Sequence, residues 1–170
     1  MKRIAEFQKV SFEEFRKGYE AFAEGMTEGE IRAVYDRITL PKRATKGSAG
    51  YDFHLTLPIE LKPGETVKIP TGIRCRMEED WVLMLFPRSG LGFKFRLQLN
   101  NTVGVIDSDY YGSDNEGHIF ARITNDSNEG KTVSLKEGDA FIQGVFLPYG
   151  ITVDDEVTDV RNGGFGSTSK

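Results

Sequence analysis

Short apolar runs separated by turn residues follow one another through most of the chain. They have the length and alternation of β-strands, and glycine, proline, asparagine or aspartate bounds most of them. The runs cover residues 53–57, 66–69, 73–77, 81–86, 97–100, 117–125, 132–135 and 140–148. The pattern predicts an all-β domain.

Two turns between these runs have a clear mechanism. Residues 62–65 read Lys-Pro-Gly-Glu and residues 136–139 read Lys-Glu-Gly-Asp. Proline presets φ for a turn, and glycine accepts the positive φ that other residues resist. We expect both turns to be hairpin ends.

The first part of the chain has a helical pattern instead. Ser11 followed by Glu14 forms a candidate capping box, and Gly25 would end the helix. Aromatic residues recur at spacings of three and four on a polar background, as on one face of a helix. They are Phe12, Phe15, Tyr19 and Phe22. This stripe is more typical of packing against the β domain or a neighbouring subunit than of a cofactor or partner site.

A second capping signal, Thr27 with Glu30, predicts a short helix through Ala33. We therefore divide the chain into an N-terminal helical arm at 1–36, a β-barrel domain at 37–160 and a flexible C-terminal lid at 161–170. The last part is rich in glycine, serine and threonine, with little to bury.

Composition narrows the classes of function. With 170 residues and 38% hydrophobic content, the chain can bury one sizeable core. The net charge of −4 and the dispersed basic residues give no surface for nucleic acid. Cys75, His54 and His118 cannot assemble a zinc site. No apolar run is long enough to span a membrane, so we expect a cytoplasmic protein without a membrane partner.

Four polar clusters interrupt the strands. Residues 48–52 place a carboxylate just before a strand, after two small residues that permit close approach of the backbone. An ordinary turn without a functional role is the alternative interpretation. Residues 87–92, Pro-Arg-Ser-Gly-Leu-Gly, combine a guanidinium, a hydroxyl and glycine amides, which suit phosphate oxygens. A turn with a solvated arginine is the alternative there.

The other two clusters are residues 104–112 and 161–168. The first delivers Asp107, a candidate general base, and Asp109 between glycines, although an Asx-type turn has the same composition. The second has the composition of a phosphate loop but lacks the Gly-Lys-Ser/Thr ending, so it is not a P-loop. It could be a lid carrying one aromatic residue, or a disordered tail.

In chain order, these clusters resemble the five motifs of the trimeric dUTPase family, from about Leu40 to the C-terminus. The run PRSGLGFKFRLQLNNTVGVIDSDYYG is similar to motifs II and III, and GDAFIQ and GGFGST resemble motifs IV and V. The longer turn at 113–117 resembles forms found in Gram-positive bacteria and their phages. The resemblance implies a jelly-roll-like β-barrel subunit and a homotrimer whose three active sites are each built from all three chains.

The resemblance also implies an activity, the hydrolysis of dUTP to dUMP and pyrophosphate. This reaction keeps uracil out of DNA and supplies dUMP for thymidylate synthesis. Asp107 would activate the water that attacks the α-phosphorus. Asn101, Gly104 and Ile106 would bind uracil, and Tyr110 would sit beneath the deoxyribose and exclude a 2′-hydroxyl.

Further roles follow from the same resemblance. The residues expected to line the phosphates are Arg88, Ser89, Gly90 and Gln143. Asp52 would hold Arg88 and support the water shell of Mg²⁺, which would arrive with dUTP and need no direct protein ligand. In the tail, Arg161 would contact the γ-phosphate and Phe165 would close over uracil. Gly166, Ser167 and Thr168 would close over the phosphates.

Two alternatives stay open at this point. A dCTP deaminase has the same fold, but its pattern places a glutamate where this chain has Arg122. A nucleotide-gated regulatory protein would bind a protein partner through the helical arm or the 113–117 turn, which is conceivable for a phage-encoded chain.

Overall fold

The computed structural model describes residues 1–161 and residue 163. In this part of the chain, short antiparallel strands dominate. They are β1 (Ala5–Lys9), β2 (Lys42–Arg43), β3 (Tyr51–His54), β4 (Ile59–Leu61), β5 (Thr66–Pro70), β6 (Ile73–Met77), β7 (Trp81–Pro87), β8 (Leu97–Leu99), β9 (Gly104–Ile106), β10 (Phe120–Asn125), β11 (Val133–Leu135) and β12 (Ala140–Pro148). The helices are α1 (Phe12–Glu20), α2 (Glu28–Arg37) and α3 (Ser89–Phe95), with a 3₁₀ helix at Ser108–Gly112.

A five-stranded sheet in the order β2-β3-β12-β7-β9 forms the largest layer. A three-stranded sheet, β5-β10-β8, and the pairs β1-β6 and β11-β4 complete the β structure of the described residues. One apolar core joins these layers, and Leu83, Ile123 and Phe141 are completely buried in it. The all-β prediction is therefore confirmed.

The long strands were predicted best. Residues 73–77 and 140–148 have the predicted bounds, whereas the strand predicted at 117–125 begins only at Phe120 and that predicted at 53–57 lies at Tyr51–His54. Strands β1, β2, β4 and β9 were not predicted. Most have only two or three residues, too few to show a period of two.

Both predicted turns exist, but neither is a hairpin end. Gly64 and Gly138 have φ values of 85° and 84°, as their turns require. The strands on either side do not pair with each other, because β4 pairs with β11 and β5 pairs with β10, while β12 pairs with β3 and β7. Each turn therefore carries the chain from one sheet to another.

Helices α1 and α2 lie where the capping signals placed them, with different ends. Helix α1 ends at Glu20 and not at Gly25, and α2 continues to Arg37 beyond the predicted Ala33. The capping box of α2 is complete. At α1 only half of the box forms, since Ser11 accepts from the Glu14 amide but its own amide donates to another residue, Glu116.

The N-terminal segment is integrated into the rest of the fold. Strand β1 pairs along its whole length with β6. Phe15 and Tyr19 of the aromatic stripe are completely buried, and the Tyr19 hydroxyl accepts a hydrogen bond from Thr56. Burying two aromatic side chains stabilises the fold by several kcal/mol, at roughly 2 to 3 kcal/mol each. The stripe packs against the β domain and is not an exposed surface.

Candidate functional site

One end of the large sheet gathers the predicted phosphate-binding residues. Gln143 on β12 lies opposite Asp52 on β3 and opposite Phe86 on β7. Asp52 forms the predicted ion pair with Arg88, whose Nε lies 3.1 Å from the Asp52 Oδ1. The Gln143 side-chain amide donates to the carbonyl of Pro87 at 3.3 Å. Three adjacent strands therefore deliver a carboxylate, an amide and a guanidinium to one place.

Gly50 permits this arrangement. A Cβ at position 50 would lie 2.3 Å from the Gln143 Oε1, far inside van der Waals contact. The small residues before Asp52, predicted to allow close approach, therefore make room for the Gln143 side chain.

Helix α3 follows directly and was not predicted. Arg88 is its N-cap residue, and Ser89 and Gly90 form its exposed first turn. Gly90 and Gly92 disfavour a helix, yet the chain closes one here because the amides of Leu91 and Gly92 donate to the Arg88 carbonyl. Arg88, Ser89 and Gly90 are all exposed, so an anion can reach the guanidinium and the hydroxyl.

A cavity of about 280 Å³ lies beside β9 and is lined by the predicted uracil-binding residues Asn101, Gly104 and Ile106. A Cβ at Gly104 would lie 2.9 Å from the Leu85 Cβ, so only glycine fits against β7. Strands β8 and β9 do not form a hairpin, because β8 pairs with β10 and β9 pairs with β7. A tight turn joins the two sheets there, with the Thr102 amide donating to the Leu99 carbonyl at 2.8 Å.

Asp107 directly follows β9 and stands at the start of the 3₁₀ helix, with its side chain about half exposed. Arg161 donates to Asp107 Oδ2 at 2.5 Å and to Asp109 Oδ1 at 2.9 Å. The guanidinium carbon lies 5.8 Å from the centroid of the Tyr110 ring. Arg161, predicted as a γ-phosphate contact, therefore lies against the candidate base in this structure.

Tyr110 is buried and hydrogen-bonded. Its hydroxyl donates to the His118 carbonyl at 2.7 Å and accepts from the Asn115 Nδ2 at 2.8 Å. Burial raises the pKa of the phenol, against smaller effects of the Asn115 hydrogen bond and Arg161, so it stays protonated near neutral pH. A neutral ring held in place is suited to steric selection, not to proton transfer.

The two groups of residues do not meet within one chain. Asp107 lies just beyond Ile106, which pairs with Leu83 near the beginning of β7, whereas Arg88 follows the end of that strand. The five residues from Leu83 to Arg88 span roughly 17 Å of extended chain. The structure therefore places the candidate base at a distance from the phosphate-binding cluster.

Some predicted residues lie outside the described part of the chain. They are Phe165, Gly166, Ser167 and Thr168.

Residues 1–161 and 163 contain no group of three or more His, Cys, Asp or Glu side chains that could hold a metal ion. Asp52 and Asp107 each supply a carboxylate next to an arginine, with about a fifth and a half of the side chain exposed. Isolated carboxylates fit a Mg²⁺ ion that keeps its waters and is bound mainly by a triphosphate.

Sequence reasoning missed several contributors. Lys68 and Phe120 line the cavity together with Arg122, which had been considered only in the comparison with deaminases. Asn115 and Glu116 lie in the turn at 113–117. Through hydrogen bonds to Tyr110 and to Ser11, they connect Tyr110 to the start of helix α1. The polar residues at 113–116, followed by Gly117, predict a turn, but they do not predict that Asn115 binds Tyr110 or that Glu116 binds Ser11.

Comparisons with known proteins identify the family of the chain. The sequence model of the dUTPase family matches residues 36–169. The deoxyuridine 5′-triphosphate nucleotidohydrolase of Lactococcus lactis is 43% identical over 134 residues, covering 77% of this chain and 88% of the relative. That of Hahella chejuensis is 41% identical over 141 residues, covering 78% and 88%.

Solved structures agree in fold. The dUTPase from Streptococcus mutans has a TM-score of 0.59 at 45% identity and covers 66% of this chain and 88% of its own. A mutant of the phage 80alpha dUTPase has a TM-score of 0.64 at 20% identity, covering 99% and 100%. The fold is the jelly-roll-like β-barrel that was predicted.

The fold and the family match define a nucleotide hydrolase. The chain belongs to the dUTPase family, and its activity is the hydrolysis of dUTP to dUMP. Within the described residues, no helix has both the length and the apolar character needed to cross a membrane.

Proposed function

We propose that this hydrolysis releases pyrophosphate, that Asp107 is its general base, and that each active site is shared between subunits of a homotrimer. One observation carries the proposal. Gly104 and Ile106 line the cavity, and the same strand ends at the exposed carboxylate of Asp107. A pyrimidine in the cavity would therefore direct its 5′-phosphates past Asp107.

The chemistry is a displacement at phosphorus. The Asp107 carboxylate takes a proton from a water molecule, and the water oxygen forms a bond to the α-phosphorus. The bond between the α-phosphorus and the bridging oxygen breaks, and pyrophosphate leaves with that electron pair. Arg161 must leave Asp107 first, and a triphosphate offers its guanidinium a stronger anionic partner.

Base and sugar selection follow from shape and from hydrogen bonds. A missing methyl group in an apolar pocket gives only about 10- to 200-fold discrimination, so polar contacts to the uracil edge from Asn101 and the backbone of residues 104–106 are needed. Tyr110 excludes a 2′-hydroxyl beneath the sugar because its ring is held in place and cannot yield.

The phosphate groups of the substrate are bound by four residues, Arg88, Ser89, Gly90 and Gln143. Arg88 presents a planar donor fork, and Asp52 holds that fork in one orientation. Bound Mg²⁺ would neutralise the developing charge on the phosphates, and the Asp52 carboxylate would accept hydrogen bonds from its waters. Asp52 therefore acts through Arg88 and through water.

Two features support a homotrimer. The base end and the phosphate end of the site lie apart in one chain, so each must be completed by another copy. The face of the large sheet that points away from the core is also apolar and only partly covered. It carries Val82, Met84, Phe86, Val105, Val145 and Leu147, and half of the Val105 surface is exposed. Such a face is typical of an obligate interface.

The segment after β12 supports the same assembly. Ile151, Val153, Val157 and Val160 are at least three-quarters exposed, in a stretch without helix or strand. Apolar side chains in this setting are stabilised when they pack on a second copy of the chain. The lid at 161–170, with Phe165 over the base, would then reach a neighbouring site.

The rival functions gain no support from the described residues. Arg122 lines the cavity, and no described residue lining it carries the carboxylate that deamination of cytosine requires. For regulation of a protein partner, the α1 stripe is buried and offers no docking surface. We place the hydrolase in the cytoplasm, where its nucleotide substrate is formed.

The experiment is pyrophosphate release from dUTP, dTTP, UTP and dCTP with Mg²⁺, together with an ammonia assay on dCTP. We expect rapid release from dUTP alone. Release from all four, or ammonia from dCTP, would contradict the proposal. Sedimentation of the purified chain checks the trimer, and an active monomer would refute the shared site.

A further inference from the structure

The turn at 113–117 is hydrogen-bonded to Tyr110 on one side and to Ser11, at the start of helix α1, on the other. At one end, the Asn115 Nδ2 donates to the Tyr110 hydroxyl at 2.8 Å and approaches the His118 carbonyl at 3.4 Å. The hydroxyl proton of Tyr110 is already directed to that carbonyl, at 2.7 Å. Asn115 therefore supplies a donor to the lone pairs of the phenol oxygen.

The orientation of the Asn115 amide is fixed by the turn itself. Its Oδ1 accepts from the Gly117 amide at 3.2 Å, and a backbone amide can only donate. The nitrogen must then face Tyr110. Gly117 is required here, since its φ is +74° and a Cβ would lie 2.8 Å from the Tyr111 Cα and 2.9 Å from the Tyr110 carbonyl oxygen.

At the other end, the turn is tied to helix α1. The Glu116 carboxylate accepts from the amide and the hydroxyl of Ser11, at 2.7 and 2.6 Å. Glu116 has a φ of +57°, a conformation that costs a non-glycine residue about 1 kcal/mol or more. A conformation of this cost persists only where the surroundings hold it, and Ser11 provides that hold.

We propose that Asn115 is a positioning residue for sugar selection, which holds the Tyr110 ring in the one place that leaves no room for a 2′-hydroxyl. Tyr110 is tethered through its hydroxyl, at the far end of the ring from its Cβ, so loss of the Asn115 donor lets the ring tilt. The inference rests on the proposed function, because it assumes that the deoxyribose lies against Tyr110.

The test is the ratio of kcat/KM for dUTP to kcat/KM for UTP. Asn115→Ala should lower this ratio by about 3- to 10-fold, the effect of losing one hydrogen bond of ordinary strength. Asn115→Leu should do the same, because leucine has a similar volume and offers the Tyr110 hydroxyl neither a donor nor an acceptor. This second variant keeps the test valid if the alanine variant does not fold.

A double-mutant cycle shows whether Asn115 acts through Tyr110. Tyr110→Phe alone should lower the ratio, and adding Asn115→Ala should lower it no further. Asp114→Ala is the matched control, because Asp114 is an exposed residue of the same turn. Its ratio should equal that of the wild type.

The outcomes separate this inference from the function on which it rests. A wild type that does not prefer dUTP to UTP overturns both. If the wild type prefers dUTP and Tyr110→Ala abolishes the preference, the proposed function stands. Asn115 variants that then keep the wild-type ratio, or whose effect multiplies with that of Tyr110→Phe, overturn the role of Asn115 alone.

Discussion

Arg161 and Asp107 form an ion pair, with the guanidinium nitrogen 2.5 Å from the carboxylate oxygen. Only 16% of the Arg161 side chain is exposed, although the residues before it are exposed to solvent. The same guanidinium also binds Asp109. Two carboxylates therefore hold one cation at the place where a triphosphate would pass, and substrate must compete for that cation.

The first prediction concerns Asp107→Asn. This change keeps the shape of the side chain but removes the base, so turnover of dUTP should fall by roughly 10²- to 10⁴-fold. Binding of a non-hydrolysable α,β-imido analogue should be unchanged or tighter, because Arg161 loses one of its anionic partners. Calorimetric titration and steady-state kinetics measure the two effects.

Asp109→Asn is the control for this prediction. It removes the other partner of Arg161 and leaves Asp107 intact, so turnover should stay within a few-fold of the wild type. Full activity in Asp107→Asn would contradict the assignment of the base.

A second prediction uses the close approach at Gly50. In Gly50→Ala the new methyl group displaces the Gln143 amide, whose flexible end can move without disturbing the core. The free energy of unfolding should change by less than about 1 kcal/mol. The kcat/KM for dUTP should fall by about 10- to 100-fold, the effect of losing a hydrogen bond to a charged group.

Gly47→Ala is the matched control, since no atom lies within 4 Å of its added Cβ. Its kinetics should equal those of the wild type. An active Gly50→Ala enzyme would show that Gln143 does not contact the phosphates.

The third prediction is that Arg88→Lys raises the KM for dUTP by about tenfold. Lysine keeps the charge but loses the planar fork and the geometry of the Asp52 pair. Arg96→Lys makes the same chemical change at an exposed pair with Asp126 and should leave KM unchanged. Equal effects of the two substitutions would argue that only net charge matters at position 88.

Particular elements show what could be predicted from the sequence. Strand β6 was found with its bounds because its five residues alternate between apolar and polar, and β12 because its nine residues form a long, mainly apolar run. Helix α3 was missed because Gly90 and Gly92 argue against it locally, and the burial of Phe95, which favours the helix, occurs only in the folded chain. Strand β1 lies among charged and polar residues, and its pairing with β6 could not be anticipated from its own sequence.

The candidate site was predicted unevenly for a similar reason. The Asp52–Arg88 pair came from the motif resemblance and was found at 3.1 Å. The partners of Arg161 and Asn115 were not anticipated, because each lies on a loop and its contacts depend on where other loops pass. The cavity residues Lys68 and Phe120 lie on β5 and β10 of the three-stranded sheet. No local motif indicates that this sheet contributes to the cavity.

The last prediction is a pH dependence of stability that originates at His118. This side chain is completely buried, and its Nε2 accepts from the Gly72 amide at 2.9 Å, so the ring must be neutral there. Burial lowers the pKa of His118 from its ordinary value of 6.5 to about 4, with Glu116 acting to raise it and Lys68 to lower it further.

Glu14 faces the other ring nitrogen of His118, at 3.6 Å, and burial raises the pKa of that carboxyl.

Because the pKa of His118 is lowered in the folded chain, the unfolded chain takes up a proton there between pH 6.5 and 4 and the folded chain does not. Stability is present in full above pH 6.5 and is lost as the pH falls, by about 1.4 kcal/mol per pH unit and roughly 3 kcal/mol in all.

Urea unfolding at a fixed protein concentration, from about pH 7 down to pH 5, measures this slope. His118→Gln keeps an acceptor for the Gly72 amide and removes the titrating group, so its stability should fall less steeply with pH. Parallel slopes for the two proteins would mean that other groups cause the acid sensitivity.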